Sequence, residues 1–118
     1  MPDDYFTITR APATPGTVRL LFSGDLDMGS RADIQEALRA AVTDARVLEP
    51  ASSGGAGEGS RIVIDLRGVR FIDSEAIAAI LDGYVAAEAV GVDFRLAGAL
   101  GIVRRVFDVI GLQHLFES

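Results

Sequence analysis

The chain has 118 residues, 49% of them hydrophobic, and a formal net charge of -6 carried against eleven arginines and no lysine. That length and apolar content suit one packed domain spanning 1–118, and the acidic balance disfavours nucleic acid, whose binding depends on Lys and Arg. With no cysteine and the single histidine His114, disulfides, thiol catalysis and thiolate or multi-histidine metal sites are excluded.

Tyr5 to Thr9 alternates apolar and polar residues and predicts a first strand, turned by Pro12, Pro15 and Gly16. Val18, Leu20 and Phe22 alternate over a second strand that stops at Ser23-Gly24, so the two form a hairpin. Gly24-Asp25-Leu26-Asp27 then reads as a loop leading to a helix. Ser30 and Asp33 resemble a capping box, and Ile34, Ala37, Leu38, Ala41, Val42 and Ala45 form one apolar stripe reaching about Val47. The segment 49–60, EPASSGGAGEGS, reads as a surface loop. Its glycines lack the Lys-Ser/Thr ending and the preceding strand that a phosphate-binding loop requires.

Ile62, Val63 and Ile64 form an unbroken apolar run, as in an interior strand covered on both faces, and the pattern places Phe71 in the core. The next helix carries Ile77, Ile80, Leu81, Tyr84 and Val85 on one face and ends near Gly91. Val92, Phe94 and Leu96 alternate as a fourth strand. Leu100, Val103, Val106, Phe107 and Ile110 mark a last amphipathic helix, after which Leu112, Leu115 and Phe116 fold back onto the core. The order β-β-α-β-α-β-α makes the last three strands parallel by right-handed crossovers and the first antiparallel. Ligands of such sheets bind at the carboxyl ends of the parallel strands. Gly24 to Ser30, Arg67 to Ser74 and Ala97 to Leu100 are expected to meet there, with Asp25, Asp27, Asp73 and Ser74 on one rim.

On position alone Ser74 reads as an N-cap, worth about 1 kcal/mol. If Asp73 is the cap instead, Ser74 occupies the first helical position with its hydroxyl outward. No Gly-x-Ser-x-Gly elbow surrounds Ser74, and His114 lies past the final helix, which argues against a hydrolase. Asp25, Asp27 and Asp73 match no calcium loop. No apolar run reaches the roughly 18 residues of a membrane span, and MPDDYFTITR lacks the basic and apolar parts of a signal peptide; a cytoplasmic protein without cofactor or metal is expected.

Gly24-Asp25-Leu26-Asp27, the run from Asp65 to Ser74 and the block from Val103 to Leu112 together resemble a STAS domain, specifically a bacterial anti-sigma factor antagonist. The resemblance implies an α/β fold with a mixed four-stranded sheet and helices packed mainly on one face. It implies a non-enzymatic stress-response regulator of transcription, which binds an anti-sigma factor that is also a GHKL-type serine kinase. Phosphorylation maps to Ser74, the aspartate that positions the site maps to Asp27, and a serine phosphatase resets the cycle. Partner binding is expected at Asp25, Asp27, Asp73, Ser74, Glu75 and Ala76. Where the family usually continues with Ser or Thr and then Gly, this chain has Glu75 and Ala76, placing a fixed charge beside the switch and a methyl at the docking edge. The other reading the resemblance allows is a STAS interaction or ligand-sensing module of another assembly, without a working phospho-switch.

Overall fold

The computed structural model describes residues 6–12, 16–48 and 60–116. Four strands, β1 (Phe6–Arg10), β2 (Thr17–Leu26), β3 (Arg61–Ile72) and β4 (Asp93–Ala97), lie side by side in sequence order. Helices α1 (Arg31–Leu48), α2 (Ser74–Ala89) and α3 (Gly101–Val109) complete the expected order. β1 runs antiparallel to β2, while β2, β3 and β4 are parallel. This is the expected mixed sheet. Tyr5, Pro15 and all of the 49–60 segment except Ser60 lie outside the described residues.

Leu20, Ile64 and Leu96 stand abreast across three strands and are buried in the same cluster as Ile34, Leu38, Ile80, Val103 and Phe107 from the helices. The opposite face is built differently. There Arg19, Val63 and Arg95 stand abreast, so Val63 is buried between arginine side chains. The apolar run from Ile62 to Ile64 thus reflects a strand shielded on one face by arginine stems whose charged heads stay in water.

The α1–α2 contact rests on a missing side chain. A Cβ on Gly83 would stand 2.5 Å from Leu38 Cδ1 and 3.0 Å from Leu38 Cβ. Gly83→Val is therefore expected to force the helices apart and cost about 1–3 kcal/mol, read as a lower urea midpoint at unchanged slope. A wild-type midpoint would show that the helices do not meet there. Beside Ile77 and Ile80, small residues also line the buried face of α2, where Ala76, Ala79 and Ala87 are buried. Val85, by contrast, is exposed, as are Leu100 and Ile110 at the ends of α3, against the sequence-based expectation. The close approach of α1 and α2 at Leu38 and Gly83 depends on a residue without a side chain, and hydropathy alone does not reveal that.

β3 departs from simple alternation in its second half. Leu21 pairs with Asp65 but Ser23 with Gly68, and Gly24 pairs with Val69 but Asp25 with Phe71. Each step inserts one extra residue into β3, and each such bulge flips the side chains that follow. Leu66, Val69 and Ile72 become the buried set, and Phe71 is turned outward at 48% exposure. Phe71 is therefore not a core residue. The first irregularity is also a close approach, since a Cβ on Gly68 would lie 2.8 Å from Ser23 Cβ.

Candidate functional site at the tip of the parallel strands

β2 does not stop at Ser23-Gly24. It continues through Asp25 and Leu26 alongside β3, with Gly24 at a φ of +89° that side-chain-bearing residues rarely adopt. Beyond Leu26, the Asp27 carboxylate accepts a hydrogen bond from the Gly29 amide at 2.9 Å and caps a short 3-10 turn, Met28–Ser30. Ser30 is fully buried, and its hydroxyl donates to the Asp27 carbonyl at 2.7 Å. The side-chain cap at this helix entry is thus Asp27, where the sequence suggests Ser30.

The Asp73 amide donates to the Leu26 carbonyl at 3.0 Å, which locks the end of β3 to the end of β2. The Asp73 carboxylate then accepts from the Ala76 amide, also at 3.0 Å, and is the N-cap of α2. Ser74 accordingly takes the first position of the helix and is exposed. Asp73→Ala removes this cap and is expected to lower stability by about 1 kcal/mol, measurable by urea denaturation; no change would mean the helix start has another support.

The chain brings Asp25, Asp27, Asp73, Ser74 and Glu75 to one tip, as the topology implies. Two arginines that the sequence reading passed over join them. Arg70 lies 3.4 Å from the Asp25 carboxylate, and the Arg31 guanidinium donates to Glu75. The tip is therefore a mixed-charge surface rather than a purely acidic one. The available signal was positional, since Arg31 opens α1 beside the Asp27 turn and Arg70 falls in the second bulge. Ala76, in contrast, is 0% exposed, so its methyl faces the core and not a docking edge. Exposed apolar surface comes instead from Met28, at 69%, and Phe71. Among the described residues, no three His, Asp or Glu side chains are grouped to hold a metal ion.

Ala97 to Leu100 does not reach this tip. The last β3–β4 pair is Asp65 with Ala97, whereas β2 keeps pairing as far as Ile72. At about 3.3 Å per residue, the interval from Asp65 to Ile72 sets the β4 end back by roughly 20 Å. The loop after β4 adjoins Asp65 and Arg67 instead, where a Cβ on Gly98 would stand 3.0 Å from Asp65 Oδ1.

Asp65 is a charged group with only 10% of its side chain exposed. Burial pushes its carboxyl upward, but the Arg67 amide at 2.9 Å and the guanidiniums of Arg19 and Arg67 outweigh burial and hold it below its ordinary value of 3.8. A group depressed in the fold contributes stability above its unfolded pKa and loses it as pH falls through the folded one. Asp65→Asn is therefore expected to flatten the acid side of the stability–pH curve below about pH 4. An unchanged slope in that range would remove Asp65 from the acid response.

The family model for the STAS domain matches residues 9–118. Among solved structures, the phosphorylated form of the Bacillus cell-fate determinant SpoIIAA superposes with a TM-score of 0.65 at 21% identity, covering 94% of this chain and 89% of that one. An anti-sigma factor antagonist from Mycobacterium paratuberculosis gives 0.73 at 23% identity, covering 98% and 86%. The murine anion transporter Slc26a9 matches as well, with a TM-score of 0.62 at 19% identity, over 86% of this chain but 15% of the transporter. At these identities the likenesses carry the fold. No curated protein sequence matches the chain.

Proposed function

Because the chain belongs to the STAS domain family, we propose that it is an anti-sigma factor antagonist whose binding to an anti-sigma serine kinase is switched by phosphorylation of Ser74. In this reading residues 1–118 act as one non-enzymatic regulatory domain in the cytoplasm, with a serine phosphatase reversing the switch. The described helices include none long and apolar enough to cross a membrane.

The observation that carries the reading is the position of Ser74. Because Asp73 does the capping, the Ser74 hydroxyl is spared from holding the helix and stands exposed at its first position. A phosphate there would add about -1.5 to -2 charges at pH 7 and meet the positive end of the α2 dipole. The fold would tolerate it. A partner seated on Met28, Phe71 and the flanking acids would meet a changed charge. The modification thus acts on the complex rather than on the folded chain.

The likeness to part of the Slc26a9 anion transporter favours a second reading, a STAS unit of another assembly that works without a phospho-switch. Affinity capture from lysate with wild type and Ser74→Glu as baits separates the two. A GHKL-type kinase held by wild type and lost by Ser74→Glu is the expected result. Recovery of transporter or assembly subunits by both baits equally would replace the anti-sigma reading with the second one.

A further inference from the structure

We propose that β1 is a self-association edge, through which two copies of this chain pair their sheets antiparallel about a two-fold axis at Ile8. The Ala11 amide donates to the Arg19 carbonyl at 2.9 Å, which continues the β1–β2 register one step past the Arg10–Leu20 pair. Hydrogen-bonded pairs alternate in an antiparallel ladder, so Thr7, Thr9 and Ala11 turn their peptide groups toward β2. Those of Ile8 and Arg10 face the outer edge, which pairs with no strand among the described residues. The far edge differs, because Phe116 bridges to Leu96 of β4.

A second copy fits this edge in one register. With Ile8 opposite its own symmetry mate, outward-facing peptide groups meet outward-facing ones, and Phe6 falls opposite Arg10 of the other copy. The side-chain chemistry agrees. Phe6, Ile8 and Ala37 floor a groove of about 400 Å³ between β1 and α1, and Asp33 and Glu36 line it. Glu36 is held by Arg39 at 2.7 Å. The incoming Arg10 would bring a guanidinium to the Phe6 end of the groove, toward Asp33, while the two Ile8 side chains close its apolar floor. In each copy Arg10 rests on its own Asp44 at 2.7 Å, but both are about half exposed, so reorientation is cheap. The paired sheets would have β2 of one copy antiparallel to β2 of the other, pointing the two Ser74 tips in opposite directions and leaving both open.

The absence of cysteine makes the test clean. Sedimentation equilibrium of the wild type is expected to give twice the 12.4 kDa chain mass. Under mild oxidant, Ile8→Cys is expected to cross-link, since facing residues of a hydrogen-bonded pair are about 5.5 Å apart between Cα atoms, within disulfide reach. Thr9→Cys is the control, because its symmetry mate is displaced along the strand beyond that reach. Arg10→Glu should return the monomer mass, and adding Asp33→Arg should restore the dimer. A monomeric wild type at every concentration, cross-linking of Cys variants at 9 as fast as at 8, or an undiminished Arg10→Glu dimer would each overturn the proposal.

Discussion

If the proposed anti-sigma kinase is the partner, Ser74→Glu is expected to weaken its binding about tenfold or more, while Ser74→Ala binds like wild type and resists switching. The alanine variant removes a hydroxyl that holds nothing in the fold, because the helix cap belongs to Asp73. The glutamate variant adds a charge at an exposed site beside Glu75 and the Asp27 turn. A like charge at about 4 Å costs roughly 1 kcal/mol in water and about 4 kcal/mol at the effective dielectric of a partly desolvated surface. Every 1.4 kcal/mol is a factor of about ten in Kd, so the tenfold figure lies inside that range, toward its lower end. Glu75 does not pre-empt this contrast, since Arg31 engages its carboxylate. Titration calorimetry with the purified kinase reads both variants directly. Equal affinity for the two would show that charge at the tip is not the signal. Loss of binding by both would show that the hydroxyl itself is a contact.

The element order, the antiparallel first strand and the single apolar stripe of α1 were legible because each rests on periodicity within one segment. The tip was legible in part for the same reason, since crossover topology alone brings the ends of β2 and β3 together. What failed required knowledge of a neighbour. The α2 cap was left open between Ser74 and Asp73, because the choice depends on where β3 releases the chain, and that is set by the Asp73–Leu26 hydrogen bond. The expected third contributor, Ala97 to Leu100, falls short because topology orders strands without fixing their lengths. Arg31 and Arg70 were invisible as partners of Glu75 and Asp25 because both ion pairs cross between elements. Ala76 was misplaced by treating the start of α2 as all surface, although its third residue already faces inward.

Phe71 and Phe107 make the sharpest test of the bulged register, because the sequence presents both as core aromatics. Phe107 is 0% exposed and meets Phe116 edge-on, with ring centroids 5.5 Å apart at 82°. Phe116 in turn lies under the Arg104 guanidinium, 4.3 Å from the ring centroid. Phe107→Ala would open a cavity beneath α3 and loosen the tail that closes the β4 edge, and is expected to cost about 3–5 kcal/mol. That is a large share of the roughly 5–15 kcal/mol available to a domain, so the variant should be partly unfolded at mild urea concentrations. Phe71→Ala removes a side chain 48% exposed, and its expected cost is below about 1 kcal/mol. Its effect belongs to binding: an exposed aromatic at the tip, opposite Asp25 in the strand register, offers apolar area that a docked partner would cover. Urea midpoints at constant slope for the two variants decide the register. If Phe71→Ala destabilised as much as Phe107→Ala, β3 would have to run without its bulges, and Phe71 would return to the core. If Phe71→Ala is stable yet binds the kinase more weakly, the two extra residues in β3 are what turn a core aromatic into a contact.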